Sequence, residues 1–401
     1  MRFLNKKLEI LSYIYQLRSL SYSEINKFLF EKDNLSESYC HKLIREMVAE
    51  KVLEKMGFHK KDMYFFITSS GIKELKKHGY YKLFAPYTSP LPLLLPAHKL
   101  KINESNIHHQ LELNHFVLSY GTSHSFDYYD EKYISLIFSG MRPDGIIQEN
   151  GTMLFLEMDM NTEGKRALLE KWKHYRNFLK SEEYYNMRDK VLVLFILGGG
   201  ITEESKRATY LREQITTYLS DYIADDFNFI IGTEQAILNT LDTDNSSIIK
   251  TAIKKNGYNV QKGTVNDGSL SGYTFDLYLN MLSPEGRLIT KGGYTEEYVL
   301  DDMTDSNIYS YAKLKNANSF MSAFKFQHNR ELKYIVVTKT EEDAYRYFLE
   351  IPENNNIYFT TPSRLSKASL HAALFQMSRD KRKWHFSEDS LGAGIEEGYI
   401  N

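Results

Sequence analysis

Cysteine is all but missing: Cys40 stands alone among 401 residues. A single thiol excludes an intramolecular disulfide and any cysteine-rich metal cluster. Long apolar runs are missing too. Leu91–Leu95 is short and broken by proline, far below the roughly 20 residues that span a bilayer. The start of the chain, Met1-Arg2-Phe3-Leu4-Asn5-Lys6-Lys7, lacks the apolar segment and cleavage site of a signal peptide. There is little net charge, 50 Lys and Arg against 52 Asp and Glu, so no global field announces a nucleic-acid partner. These absences lead us to expect a cytoplasmic protein with no membrane partner. The length predicts two or three domains.

The most informative stretch runs from Arg142 to Tyr175. Asn150-Gly151 lies between two apolar runs, the strongest short signal for a two-residue β-hairpin turn. Counting outward from that turn, Glu149 pairs with Thr152 and Ile147 faces Leu154. Asp144 then faces Glu157, and Arg142 faces Asp159. Period-2 alternation puts Ile147, Leu154, Leu156, Met158 and Met160 on one face and the charged residues on the other. Two carboxylates directly opposite each other repel. A hard cation such as Mg²⁺, a shared proton or pairing with Arg142 would each offset that. The alternative to a metal site at Asp144, Glu157 and Asp159 is a solvated polar face with an Arg142–Asp159 pair.

Residues 1–80 read as one domain. Leu8, Leu11, Ile14 and Tyr15 fall at helical spacing. Ser21 or Ser23 opens a second helix with Ile25, Phe28 and Leu29 inward, and Ser36 caps a third with Cys40, Leu43, Ile44 and Met47 inward. Val52–Lys55 and Met63–Thr68 alternate as a hairpin, and Ser69–Lys77 returns to helix. This is the order of a winged helix-turn-helix, whose second motif helix docks by its N-terminal part in the major groove. Ser36, Ser38, Tyr39, Lys42 and Arg45 would then face DNA, with Lys60 and Lys61 at the wing tip. Local charge agrees: residues 1–80 carry 15 basic against 10 acidic side chains, residues 221–305 carry 6 against 14. Glu37 and Glu46 count against DNA. The other reading is a winged helix that contacts protein, or a solvated basic surface.

Proline is scarce, and four of the eight, Pro86, Pro90, Pro92 and Pro96, fall together. Residues 81–106 therefore read as an extended linker lying along a domain surface. From residue 107 the pattern becomes α/β. It runs helix His109–Ser119, strand Phe126–Tyr133, the hairpin, helix Glu163–Lys180 capped by Thr162, strand Val191–Leu197, helix Thr202–Leu219 and strand Phe227–Ile231. The helix after the hairpin has a stripe of Leu168, Trp172, Tyr175 and Leu179. That stripe makes Tyr175 a core residue rather than a nucleophile. His108-His109 lacks a third ligand at zinc spacing. Gly198-Gly199-Gly200 lacks a phosphate-loop pattern.

This order, with Pro143-Asp144 on one strand and Glu157-Met158-Asp159 on the next, resembles the PD-(D/E)xK nuclease superfamily. The resemblance implies that Asp144 and Glu157 bind metal. Asp159 stands where those enzymes carry a lysine, which implies a second metal, a site that no longer cuts, or a lysine moved to the next helix, with Lys165 the nearest. Adding the N-terminal winged helix, His109-Gln110-Leu111-Glu112-Leu113-Asn114, and Thr162-Glu163 before a basic helix, residues 1–235 look like the replication-relaxation family of plasmids and other mobile elements. That resemblance implies a role in replication or mobilisation, with replication or relaxosome proteins as partners. It also carries an acid at the position of Asp159.

Residues 241–385 repeat the hairpin, helix, strand, helix, strand order. Glu157 to Lys190 spans 33 residues and Asp301 to Lys333 spans 32. A degenerate second α/β copy without Pro-Asp, and so non-catalytic, competes with an unrelated extension. Residues 386–401 look like a tail. The expected class is a multidomain α/β protein: winged helix at 1–80, linker at 81–106, nuclease-like core at 107–240, second α/β domain at 241–385.

Three functions compete. The first is a sequence-specific double-stranded-DNA-binding protein of a mobile element, with a nuclease-like core as scaffold. The second is a Mg²⁺-dependent endonuclease or nickase using Asp144, Glu157, Asp159, Glu163 and Lys165. The third is a transcriptional regulator or assembly module. A homodimer would match paired half-sites.

Overall fold

The computed structural model describes residues 2–59, 62–78, 95–131, 134–135, 138–187, 189–202, 205–224, 226–242, 245–263, 274–284, 287, 289–291, 294–295, 297–304, 307–387 and 390–400. Lys60, Lys61 and most of the proline-rich stretch lie outside them. The protein is mixed α/β and divides into two compact units, residues 1–207 and 208–401. No helix among the described residues is long and apolar enough to cross a membrane.

The first unit opens with α1 (Arg2–Leu17), β1 (Leu20–Ser21) and the short α2 (Tyr22–Ile25). A π-helical turn, Asn26–Phe30, continues α2 and buries Phe28, Leu29 and Phe30. Helix α3 (Glu37–Ala49) buries Cys40, Leu43, Ile44 and Met47 at helical spacing, and Ser36 caps it by accepting from Tyr39 N–H. β2 (Leu53–His59) and β3 (Asp62–Ile67) form the hairpin, and β1 pairs with β3 to make a three-stranded sheet in the order β1-β3-β2. α4 (Ser69–His78) follows. At the described end of the proline-rich stretch, Leu95 N–H donates to Tyr15 Oη at 2.9 Å. The short helix α5 (Ala97–Leu100), which buries Ala97 and Leu100, comes next. This end of the stretch is tied to the first helix, but the residues described within 81–106 are helical at Ala97–Leu100 and from Glu104 onward, where an extended linker was expected.

Ser21 and Glu24 make a capping box at α2, each side chain bound to the other's backbone N–H. Glu24 is buried, and burial pushes its carboxyl from 4.5 up to about 7. A raised acid favours its neutral form in the fold. The stability it contributes is full below about pH 4.5 and declines as pH rises through 7. Glu24→Gln keeps the cap and removes the titration. Urea unfolding from pH 5 to 8 should show the wild type losing up to about 3 kcal/mol relative to the variant. Parallel pH curves for the two proteins would reject this account.

Helix α6 (Glu104–Tyr120) turns Ile107 and Leu111 against Tyr64 and Phe66 of the small sheet. Asn114 on the same helix donates to Ser19 O at 2.6 Å. The N-terminal elements and the α/β core are thereby joined within the first unit. β4 (Asp127–Asp130), β5 (Gly145–Glu149), β6 (Thr152–Asp159) and β7 (Lys190–Leu197) lie side by side in that order. The first two pairings are antiparallel and β6–β7 is parallel. Between β6 and β7 run α7 (Lys165–Leu179) and α8 (Glu182–Tyr185). Thr162 does not cap α7. Its N-cap is Gly164, with no side-chain cap bond, so the helix begins two residues later than Thr162-Glu163 suggests. α9 (Lys206–Leu219) follows β7 and starts four residues after Thr202.

The second unit carries β8 (Phe227–Thr233), α10 (Glu234–Asp242) and α11 (Asn245–Lys255). Next come β9 (Asn259–Gly263), β10 (Phe275–Asn280), the short pair β11 (Thr290–Lys291) and β12 (Tyr294–Thr295), and β13 (Glu297–Asp302). α12 (Ile308–Lys315) and α13 (Ala317–His328) lead to β14 (Lys333–Val337), then α14 (Glu341–Leu349) and β15 (Ile357–Thr360). α15 (Pro362–Lys367), α16 (Leu370–Ala373), β16 (Phe375–Met377), β17 (Arg382–Ser387) and β18 (Ser390–Tyr399) complete it. Its eight-stranded sheet runs β18-β17-β16-β15-β14-β13-β10-β9. β13–β14 and β14–β15 are parallel. Residues 390–399 are therefore an edge strand paired on β17, not a frayed tail. The hairpin read around Ser283–Gly286 is wider than expected: β10 pairs with β13, and residues 281–296 lie between them.

Candidate functional site

The Asn150-Gly151 turn fixes the site's register. Both residues have positive φ, +49° and +75°, as a type I′ turn requires. Glu149 pairs with Thr152, Ile147 with Leu154 and Gly145 with Leu156. The paired register ends at Gly145–Leu156; just beyond it Asp144 N–H also donates to Leu156 O, at 2.9 Å, so Asp144 lies at the end of the pairing, beside Glu157 but not in a paired position opposite it. Gly145 is required here. A Cβ at that position would stand 2.9 Å from the Tyr128 ring, which β4 lays across it.

The acids are not on a solvated face. Parallel β7 and the helices cover β6, and Glu157 and Asp159 are both buried. Burial of a charge demands partners, and four come from outside the hairpin. Lys171, on the second turn of α7, donates to Glu157 Oε2 at 2.8 Å and stands 3.1 Å from Glu163 Oε2. Tyr175, one turn further, donates from Oη to Glu157 Oε1 at 2.7 Å. His109 of α6 places Nε2 3.2 Å from Asp144 Oδ2, which also accepts from Met158 N–H at 2.8 Å. Arg207 closes on Asp159 through Nε and Nη2, at 2.7 and 2.8 Å, and donates from Nη1 to Glu163 O.

These contacts revise four expectations. Asp159 pairs with Arg207 rather than Arg142, whose side chain is exposed. Asp159 has no side-chain exposure and gives both oxygens to Arg207. Among the described residues, no group of three or more His, Cys, Asp and Glu side chains could hold a metal ion. Asp144, Glu157 and Asp159 are therefore not brought together as a three-ligand set. The lysine that reaches the acids is Lys171, whereas Lys165 is exposed at the first position of α7. Lys171 lies six residues, nearly two turns, further along α7 than Lys165.

The two carboxylates respond unequally. Burial pushes Glu157 up to about 7, with the Asp144 charge adding to it. Burial would raise Asp144 as well, but the His109 hydrogen bond and charge hold it below the usual carboxylate range. Burial alone would lower Lys171. Glu157, Asp144 and Glu163 outweigh that and raise it, so it stays an ammonium. Burial and Glu157 raise Tyr175 well above an ordinary phenol, so it serves as a donor and not as a nucleophile. The arrangement can hold charge at Asp144, donate from Lys171, and keep one carboxylate near neutral in the absence of a cation.

On α3 the expected DNA-facing residues divide. Ser38, Lys42 and Arg45 are exposed on one side of the helix. Ser36 is exposed, but its hydroxyl is the cap. Tyr39 is half-buried, with its ring 5.5 Å from Phe30.

His109, Lys171, Tyr175 and Arg207 were the residues missed. Lys171 left a faint trace in the sequence, as a lysine between Leu168 and Tyr175 on the edge of the apolar stripe. His109 stood in the His109–Asn114 motif but with no role assigned, and Arg207 left no trace. No family model, curated protein or solved structure matches this chain.

Proposed function

We propose that this protein binds double-stranded DNA through residues 1–78 and hydrolyses phosphodiester bonds at Asp144, Glu157 and Lys171. One observation carries the reading: Lys171 Nζ reaches Glu157 beside Asp144, which restores an acid–acid–lysine set despite the acid at position 159. The donor set fits a hard divalent cation of the Mg²⁺ kind, which is commonly held by one or two carboxylates, water and substrate phosphate. Asp144 and Glu157 would hold it, and bound there it would polarise the phosphate. Lys171 orients and steadies the attacking water from the side of Glu163. His109 holds Asp144 charged and in place. Asp159 is left out of the cation set because Arg207 occupies it.

Exposed Ser38, Lys42 and Arg45 support the DNA-binding part, because a helix with its apolar side buried offers them as one polar face. The likeness to replication-relaxation proteins supports a role in replication or transfer of a mobile element.

The test is incubation with supercoiled DNA of the protein's own replicon and Mg²⁺ or Mn²⁺, beside Asp144→Ala/Glu157→Ala. Nicking or linearisation absent from the variant is expected. A footprint should weaken in Lys42→Ala/Arg45→Ala, with the salt slope of binding reduced by about 2. Intact DNA with a discrete footprint would leave a DNA-binding organiser. Neither cleavage nor footprint would overturn the proposal in favour of a protein-assembly role.

A further inference from the structure

The four carboxylate oxygens of Asp144 and Glu157 are not equally engaged. Asp144 Oδ2 accepts from Met158 N–H at 2.8 Å and stands 3.2 Å from His109 Nε2. Among the described residues nothing bonds Asp144 Oδ1, and the side chain is 27% exposed. Glu157 is different. Its side chain is only 3% exposed, and both oxygens are taken. Oε1 accepts from the Tyr175 hydroxyl at 2.7 Å and Oε2 from Lys171 Nζ at 2.8 Å.

The two bonds on Glu157 differ in how readily they can be given up. Tyr175 is fully buried on the inner stripe of α7. Turned away from Glu157, its hydroxyl would be stranded without a partner. Lys171 is a longer and more flexible side chain, 20% exposed at the edge of that stripe. It also has a second carboxylate within reach: Glu163 Oε2 stands 3.1 Å from Nζ, on a side chain that is 36% exposed. Glu163 is itself anchored. Its carbonyl accepts from Arg207 Nη1 at 3.1 Å, and Arg207 is fixed by both oxygens of Asp159.

We infer that Lys171 is a built-in competitor of the divalent cation at Glu157 Oε2, and that Glu163 is the positioning residue that receives its ammonium when the cation binds. The inference deepens the cation reading of Asp144 and Glu157 and rests on it. A hard cation needs oxygen ligands. The two acids offer one that is open, Asp144 Oδ1, and one held by a side chain that can leave, Glu157 Oε2. Two positive charges at one carboxylate oxygen repel. A buried carboxylate stripped of its countercharge is costly, so Lys171 stays on Glu157 until another positive charge replaces its own. The same exchange takes Lys171 to the side of Glu163, from which it steadies the attacking water. The lysine thus reaches its working position only in the cation-bound site.

Mn²⁺ binding by the full chain, read from loss of the free-ion electron paramagnetic resonance signal, tests this in the wild type, Lys171→Met, Glu163→Gln and the double variant. Lys171→Met is expected to bind Mn²⁺ at least about tenfold tighter than the wild type, because no charged hydrogen bond has to be broken first. Glu163→Gln should bind about threefold more weakly, the effect of losing a partly exposed ion pair. The double variant should match Lys171→Met, since Glu163 acts through Lys171. Circular dichroism checks each fold, and Lys171→Gln, which can still donate to Glu157, replaces the Met variant if that one does not fold. Equal or weaker binding in the Lys171 variant overturns the inference and leaves the cation reading standing. A Glu163→Gln effect that persists in the double variant overturns the role given to Glu163. Binding by the Lys171 variant but not by the wild type supports the competition. Binding by neither rejects the cation reading itself.

Discussion

Replacing Arg207 with alanine is expected to destabilise the first unit by about 3–5 kcal/mol, the usual effect of removing one partner from a buried ion pair. Asp159 has no exposed side-chain surface, and Arg207 keeps only 12% of its own. Arg207 bonds both carboxylate oxygens and the Glu163 carbonyl. Its loss leaves a carboxylate with neither water nor countercharge. The companion variant Asp159→Leu/Arg207→Met removes both charges and should recover most of the loss, because two apolar groups of similar volume need no partner. Urea unfolding of the two variants beside the wild type measures the difference. A cost below about 1 kcal/mol for Arg207→Ala would class the pair with solvent-screened surface ion pairs and remove our reason for excluding Asp159 from cation binding.

Lys171→Ala is expected to lower the cleavage rate by about 10²–10³-fold, the range seen when one preorganised electrostatic donor is removed from an active site. Lys165→Ala should change it by less than about threefold, since that residue opens α7 in solvent. Lys171→Arg keeps the charge but not the compact ammonium and should fall between them. Single-turnover cleavage at saturating DNA separates the chemical step from binding, and the loss should sit in the rate, not in the affinity. Equal effects at positions 165 and 171 would contradict the assignment of the lysine.

The hairpin was legible because its information is local. Asn150-Gly151 fixes a turn, a turn fixes a register as far as Gly145 and Leu156, and that brings Asp144 beside Glu157. The helices of residues 1–78 were legible for a similar reason: Ser36 caps, and Cys40, Leu43, Ile44 and Met47 keep one period. What completes the site is not local. His109 precedes Asp144 by the rest of α6 and the strand β4, and Arg207 follows Asp159 by two helices and a strand. Their contacts depend on how α6 and α9 cross the sheet, and no spacing encodes a crossing. Lys171 was hidden differently. A lysine on a basic helix reads as solvated, and only its place next to the Trp172–Tyr175 stripe distinguishes it from Lys173, which pairs with Glu170 in solvent. In the second unit the spacing aligned Asp301 with Glu157, but Asp276 opposite it and Lys313 on the next helix were not legible without the Pro-Asp signal.

The width of the second hairpin has a consequence for how such a chain can lengthen. Asp144 and Glu157 are 13 residues apart, and Asp276 and Asp301 are 25 apart. The difference falls wholly beyond the paired strands, where the first unit turns in two residues and the second carries residues 281–296. Loop-closure entropy grows only with the logarithm of length, about 0.6 kcal/mol per doubling. Extra residues at a hairpin tip are therefore nearly neutral. One extra residue within β13 would instead move Asp301 to the opposite face. The tip can accept insertions while the acids stay opposed, so variation among related chains should gather at residues 281–296 and spare the strands that carry Asp276 and Asp301.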